Sequence, residues 1–283
     1  MHTLTKKDFI IPKRKHTSHK GQNGTVLIIG GSEDYTGSLI LAGLAALRCG
    51  ADIVVIAAPE KVAWAINAYT PDLVTKKVKG KNLEVQHFDQ LKALAKRFDV
   101  VLFGNGMGLD NSTQKLCKKL ALLPNNKVID ADGIKAISTK GVQNAIITPN
   151  EREMRLFLKN SDVKAAATKN ISRYAYDVQK TMPKFFKSNN VLLVKGATDA
   201  IISVSKIALN KTGNQGMTRG GTGDVLAGLC AGYYAQLKNP YSAACNAAFM
   251  SGTVGDILKK KKKGYVFLAS DVVEELRKIK KKK

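Results

Sequence analysis

Short β-branched runs recur along the first two thirds of the chain: GTVLII (24–29), DIVVIAA (52–58), DVVLFG (99–104), KVIDAD (127–132), AIIT (145–148) and VLLVK (191–195). They are apolar almost without interruption, which is the pattern of strands covered on both faces. Longer stretches between them, such as SLILAGLAALRCG (38–50), carry apolar residues at helical spacing. This alternation predicts an α/β fold: a doubly wound, mostly parallel sheet with helices on both faces. After Lys195 the rhythm changes. DAIISVSKIALN (199–210) reads as a strand pair, and mainly helical segments follow. No internal repeat or low-complexity linker divides the chain, so residues 1–283 are expected to form one domain with basic tails at both ends.

Composition adds constraints rather than a fold. An apolar content of 44% suits a chain with a real core. The net charge of +24 is extreme, with lysine clusters at 259–263, 278 and 280–283. Such runs usually form solvated faces. Aromatic residues are only 6% of the chain, too few for a base-stacking surface, so nucleic acid is not the expected partner. The charge serves solubility and draws anionic substrates. No run reaches ~18 uninterrupted apolar residues, since Arg48 and Asp52 break the longest candidate. The basic opening lacks an apolar core and a small-residue cleavage site, so it does not read as a secretion signal. Cys49, Cys117, Cys230 and Cys245 form no CxxC pair and read as buried thiols in a reducing cytoplasm. His16 and His19 lack the companions a metal site needs.

The glycines and acids collect where a ligand would sit, beyond the carboxyl ends of the predicted strands. GGSEDYTG follows the first run, GNGMGLD the third, DADG the fourth, TPNERE the fifth and KGATD the last. There is no GxxxxGK[ST] and no complete GxGxxG, so neither a P-loop nor a Rossmann site is indicated. The strongest local signal is GGTGDVLAG (220–228). Gly220, Gly221 and Gly223 permit close backbone approach, and a helix starting near Asp224 would offer free N–H groups to a phosphate. Asp224 is either that helix's N-cap, worth ~1 kcal/mol, or a general base beside the anion. Spacing alone leaves the two level. In ITPNEREM, Thr148 reads as an N-cap, Pro149 as the first helical residue and Glu151 as the cap's partner. That leaves Asn150 and Glu153 free to face the cleft. Lys195-Gly196 is either a solvated turn or a nucleotide contact, and Asp130 taken alone reads as a strand end.

Together these loops resemble the ribokinase-like superfamily and, more closely, the ADP/ATP-dependent NAD(P)H-hydrate dehydratases. The likeness runs in order from HKGQNGTVLIIGGSEDYTGSLILAGLAALRCGA (19–51) through GNGMG, VIDADGIKAI, ITPNEREM and VLLVKGATDAII to TGNQGMTRGGTGDVLAG (212–228). It implies repair of hydrated NADH or NADPH (NADHX, NADPHX) with ADP or ATP as phosphoryl donor and Mg²⁺. It makes Asp224 the base and the backbone of Gly221, Thr222, Gly223 and Asp224 the anion hole. Lys195, Gly196, Ala197, Thr198, Asp199, Asn214 and Gly223 would hold the nucleotide. Ser38, Gly106, Asn150 and Asp224 would meet the hydrate, with Glu153 ordering the metal through water. The resemblance also implies a cytoplasmic homotetramer and, since no epimerase-sized segment precedes His19, the dehydratase alone. Two departures stand out. The family's TPHPGE is TPNERE here, placing Asn150 where a histidine is usual, and Asn150-x-x-Glu153 fits the NxxE of related kinases. GNGMG replaces GPGLG. A sugar or vitamin-precursor kinase of the same fold is therefore the competing expectation, and the block 30–51 favours the dehydratases.

Overall fold

The six expected interior strands and the expected strand pair all form, and two more join them. The computed structural model describes residues 1–164, 168, 170–261 and 264–278, so Lys262, Lys263 and the lysines at 280–283 lie outside the described residues. In chain order the strands are β1 (His2–Thr3), β2 (Thr25–Ile29), β3 (Ile53–Pro59), β4 (Val74–Val78), β5 (Val100–Phe103), β6 (Asn126–Ile129), β7 (Ala145–Ile147), β8 (Val191–Val194), β9 (Asp199–Ile202) and β10 (Ile207–Asn210). They build one sheet in the order β1-β10-β9-β8-β7-β6-β5-β2-β3-β4. All pairs are parallel except those of β9, which runs against β8 and β10. The expected hairpin after Lys195 is thus β9–β10. The sequence pattern misses β1 and β4. β1 is two residues long, and β4 is an edge strand whose VTKKV is interrupted by two lysines instead of running apolar.

Eleven α-helices lie among the described residues: α1 (Gly37–Arg48), α2 (Glu60–Tyr69), α3 (Phe88–Ala95), α4 (Asn111–Ala121), α5 (Ala131–Ala136), α6 (Glu151–Asn160), α7 (Ile171–Thr181), α8 (Pro183–Lys187), α9 (Thr222–Leu237), α10 (Pro240–Lys261) and α11 (Ala269–Leu276). The strands alternate between two cores. Val26 and Ile28 of β2 face α1, α2, α9, α10 and α11, while Leu27 and Ile29 face α3 to α8. All four cysteines are buried, as expected. None of the described helices is long and apolar enough to cross a membrane.

Two features of this frame place the site. First, β2 has β3 on one side and β5 on the other, so the chain reverses direction across the sheet there. That crevice opens at the carboxyl ends of β2 and β5, where GGSEDYTG and GNGMG begin. Second, α9 sits unusually close to α1. A Cβ at Gly228 would stand 2.1 Å from the Ala42 carbonyl oxygen, and one at Gly232 would stand 2.3 Å from Cys49 Sγ. Only glycine permits this contact, and it fixes where the first turn of α9 meets the cleft.

Candidate active site

The first turn of α9 decides the question about Asp224. The N-cap is Gly221, with φ of 90°, and the helix begins at Thr222. Asp224 makes no capping bond, so the cap reading falls. A Cβ at Gly221 would also strike Leu41 and Ala269, at 2.6 and 2.9 Å. The Thr222 hydroxyl donates to the carbonyls of Met217 (2.7 Å) and Arg219 (2.8 Å), which ties the glycine loop to its helix. The Thr222 amide also bonds to Arg219, at 3.3 Å. Of the four amides expected to form an anion hole, that of Thr222 is thus engaged, while those of Gly223 and Asp224 lie in the first turn, where the helix itself supplies no acceptor.

The start of α6 also differs from expectation. Asn150, not Thr148, caps it. Asn150 Oδ1 accepts from the Glu153 amide at 2.9 Å and Glu153 Oε2 accepts from the Asn150 amide at 2.8 Å, a reciprocal box. Pro149 precedes the helix and Glu151 is its first residue. The pair left without a role by the sequence is thus what starts the helix. Thr148 is fully buried instead, and its hydroxyl donates to Asp130 Oδ1 at 2.7 Å.

Asp130 is the residue the sequence undervalues. It ends β6, only 2% exposed. Oδ1 accepts from Lys195 Nζ at 3.0 Å as well as from Thr148, and Oδ2 accepts from Asn105 Nδ2 at 2.9 Å. Asn105 Nδ2 also donates to Asp224 Oδ1 at 2.7 Å. Lys195 lies 3.7 Å from Glu153 Oε2, and a Cβ on Gly223 would stand 3.6 Å from its ammonium. One connected network therefore joins Asp224, Asn105, Asp130, Lys195 and Glu153, drawn from α9 and the ends of β5, β6 and β8 and from α6. Asn105 Oδ1 is buried without a partner, a cost of about 1–3 kcal/mol.

The charges here are poised. Burial, reinforced by the nearby Asp130 charge, pushes the Asp224 carboxyl up to about 6, against the pull of Asn105 and Lys195. Burial alone would lower Lys195, but Asp130, Glu153 and Asp224 outweigh it and raise it, so it stays an ammonium. At neutral pH, Asp224 is an ionised carboxylate near the affinity that suits a general base.

One wall of the cleft beside Asp224 is formed by the loops after β2 and β5. Ser38, at the start of α1, and Gly106 meet closely: a Cβ at Gly106 would be 2.8 Å from Ser38 Oγ and 2.6 Å from the Tyr35 side chain. Gly106 directly follows Asn105, which brings this pair beside Asp224. The loop is pinned by Asp132, which accepts from the Gly108 amide at 2.9 Å. Asn150 is exposed, and its described contact is with Glu153 of its own cap.

On the other side of Lys195 opens a cavity of about 330 Å³. Lys195, Gly196, Ala197, Asp199, Asn214, Thr222 and Gly223 line it, with Met217, Leu226 and Ala248 as an apolar wall. Thr198 is in the same turn but does not line it. Asp199 accepts from the Gly196 amide at 3.1 Å and from Asn210 Nδ2 at 3.0 Å, which shapes the turn; burial raises its carboxyl. Asn214 Oδ1 accepts from the Gly216 amide and its Nδ2 donates to Asp256. Thr212, Gln215, Thr218 and Ser251 add further polar groups to its lining.

The same residues do not form a resident metal cage. Asp130 and Glu153 already accept from Lys195 and from neutral donors, and no group of three His, Cys, Asp or Glu suited to a metal occurs among the described residues. A Mg²⁺ here would arrive on nucleotide phosphates, keeping much of its water.

The geometry has counterparts in known proteins. The family model described as NAD(P)H-hydrate dehydratase matches residues 26–278. The bifunctional NAD(P)H-hydrate repair enzyme Nnr of Methanocaldococcus jannaschii is 39% identical over 268 residues, covering 93% of this chain and 49% of that protein. The chain spans about half the length of the curated relatives it matches. A ribokinase-like superfamily protein from Enterococcus faecalis superposes with a TM-score of 0.81 at 24% identity, covering 98% of this chain and 94% of the other. The ADP/ATP-dependent NAD(P)H-hydrate dehydratase of Bacillus subtilis, co-crystallised with ATP/Mg²⁺, gives 0.75 at 24% identity, covering 94% and 92%. Those two structures establish the ribokinase-like fold. With the matched family model spanning most of its length, this chain belongs to the NAD(P)H-hydrate dehydratase family.

Proposed function

We propose that this chain restores hydrated NADH or NADPH to NAD(P)H, with ADP as the preferred phosphoryl donor and ATP as the alternative. The observation that carries this reading is the placement of Asp224. It is an uncapped, half-buried carboxylate in a helix first turn, between the free amides of that turn and the Ser38–Gly106 wall.

The reaction follows from those positions. Asp224 takes the proton of the hydrate's hydroxyl as that oxygen attacks the terminal phosphorus of the nucleotide. The bond from that phosphorus to the bridging oxygen breaks, and AMP departs with the bonding pair (ADP when the donor is ATP). The Gly223 and Asp224 amides and the Lys195 ammonium stabilise the charge on the moving phosphoryl group. Phosphate then leaves the ring carbon with the bonding pair, a ring proton is lost, and the double bond returns. Hydroxide is a poor leaving group and phosphate a good one, which is the reason for the nucleotide. A Mg²⁺ brought by the nucleotide would neutralise phosphate charge, and Glu153 would help to hold it through water. The S epimer of the hydrate is the assigned substrate, residues 1–283 act as one dehydratase domain, and the working form is a cytoplasmic homotetramer.

The test mixes the protein with NADPH hydrate, Mg²⁺ and either ADP or ATP. Recovery of the near-ultraviolet absorbance of the reduced nicotinamide, matched mole for mole by released phosphate, is expected, and faster with ADP. Accumulation of a stable phosphorylated product would instead identify a small-molecule kinase. Resolved epimers and sedimentation velocity test the finer assignments.

A further inference from the structure

Asn105 takes no part in the reaction just described, yet it occupies the centre of the network. It is fully buried two residues after β5. Its one side-chain nitrogen serves two acids from different elements: Asp130 Oδ2 at 2.9 Å and Asp224 Oδ1 at 2.7 Å. Its Oδ1 is left with no partner. Turning the amide over would aim that oxygen at two carboxylates, so charge fixes the orientation. Both donors are kept on acids even though the acceptor is orphaned. Apolar side chains of similar size fill such positions elsewhere in the core, so the amide's value lies in its effect on the two acids.

We propose that Asn105 is a positioning residue for the proton transfer, holding Asp224 ionised and aimed by sharing one amide between the base and Asp130. The proposal rests on the dehydratase reading for the acceptor but not for the titration of Asp224. Four charged or polar groups bear on that carboxylate. Asp130 at the end of β6 and Asp132 in α5 favour its protonation; Lys195 at the end of β8 and Asn105 oppose it. Lys195 acts from a distance, bonded to Asp130. Among the described residues the one hydrogen bond to the Asp224 carboxylate comes from Asn105. Without the amide, two carboxylates would face one another across an apolar gap, and such pairs retain a proton at neutral pH.

The test compares wild type with Asn105→Leu, which fills the space without a donor, and Asn105→Ser, which is small and cannot reach both acids. The Asp224 carboxyl is followed by carbon-13 NMR in the free protein, assigned by the resonance lost in Asp224→Asn. The midpoint is expected to rise from about 6 in wild type to about 7 or above in Asn105→Leu, with Asn105→Ser between. Turnover of the hydrate should fall by at least ~5-fold at pH ~6 and recover towards wild type at pH ~9, with nucleotide KM unchanged. An unmoved midpoint in whichever variant folds, or an equal loss of turnover at every pH, overturns the proposal. A wild-type protein that does not act on the hydrate, with midpoints in the variants that move as stated, would sink the dehydratase reading and leave this one standing.

Discussion

Aspartates stand at both ends of the sheet, and the protein treats them in opposite ways. Asp52 and Asp99 precede β3 and β5. Asp52 Oδ2 accepts from the amides of Gly21 and Asn23 and from the Asn23 side chain, all at 3.0 Å, with Arg14 at 3.4 Å from the other oxygen. Asp99 accepts from the Thr25 amide and hydroxyl and pairs with Lys238. Burial works against both, yet these donors outweigh it and hold both carboxyls below their usual range. At the carboxyl end, Asp224 has one hydrogen bond and a neighbouring negative charge, and its carboxyl rises instead. The amino-end acids are built to stay ionised and hold loops in place. Asp224 is left able to take up a proton and give it back.

The largest effect expected from this contrast is that of Asp224→Asn. Turnover should fall by at least ~100-fold while nucleotide affinity, read by calorimetry, stays near wild type. Stability should not fall. The folded carboxyl has a raised pKa, so its contribution is fully present below the ordinary value of 3.8 and is lost as pH rises through about 6. Removing the charge relieves that loss, and the melting temperature at neutral pH should match or exceed wild type. Asp52→Ala should do the reverse. It strands two backbone donors, so urea denaturation should show a loss of about 2 kcal/mol with turnover per folded molecule intact. The depressed Asp52 pKa gives stability present above its usual range and lost on acidification, so this deficit should narrow as pH falls.

Glycines sharpen the same division at smaller cost. Gly221→Ala must put a Cβ at φ of 90° against Leu41 and Ala269, and about 1–2 kcal/mol of stability should be lost. At Gly220 a Cβ meets nothing within 4 Å. Gly220→Ala should leave the free energy of unfolding within about 0.5 kcal/mol of wild type, so any change in its KM for nucleotide reports the approach of the ligand and not the fold.

Much of this architecture was legible in the chain. Continuous apolar runs marked the interior strands because both of their faces are covered. The edge strand β4 escaped because only one face is. The glycine loop stood out by its density of glycines, of which Gly221 has a conformation that excludes other residues. The capping of α6 was misplaced by two residues: Thr148-Pro149 is a plausible start by spacing, and only the fold shows Thr148 turned inward to Asp130. Asp130 and Asn105 were missed for one reason. Each looks ordinary in its own turn, and their importance comes from meeting Asp224, 94 and 119 positions away in the chain. A pattern of local spacing carries no trace of that meeting.

The central claim is that Asp224 acts as the base, and the pH dependence of kcat/KM for NADPH-hydrate dehydration tests it most directly. Wild type should lose activity on the acid side with a single-proton slope centred near 6. In Asp224→Asn the residual activity should be flat through that region. A profile in which Asp224→Asn keeps both the wild-type acid limb and near wild-type rates would contradict the account.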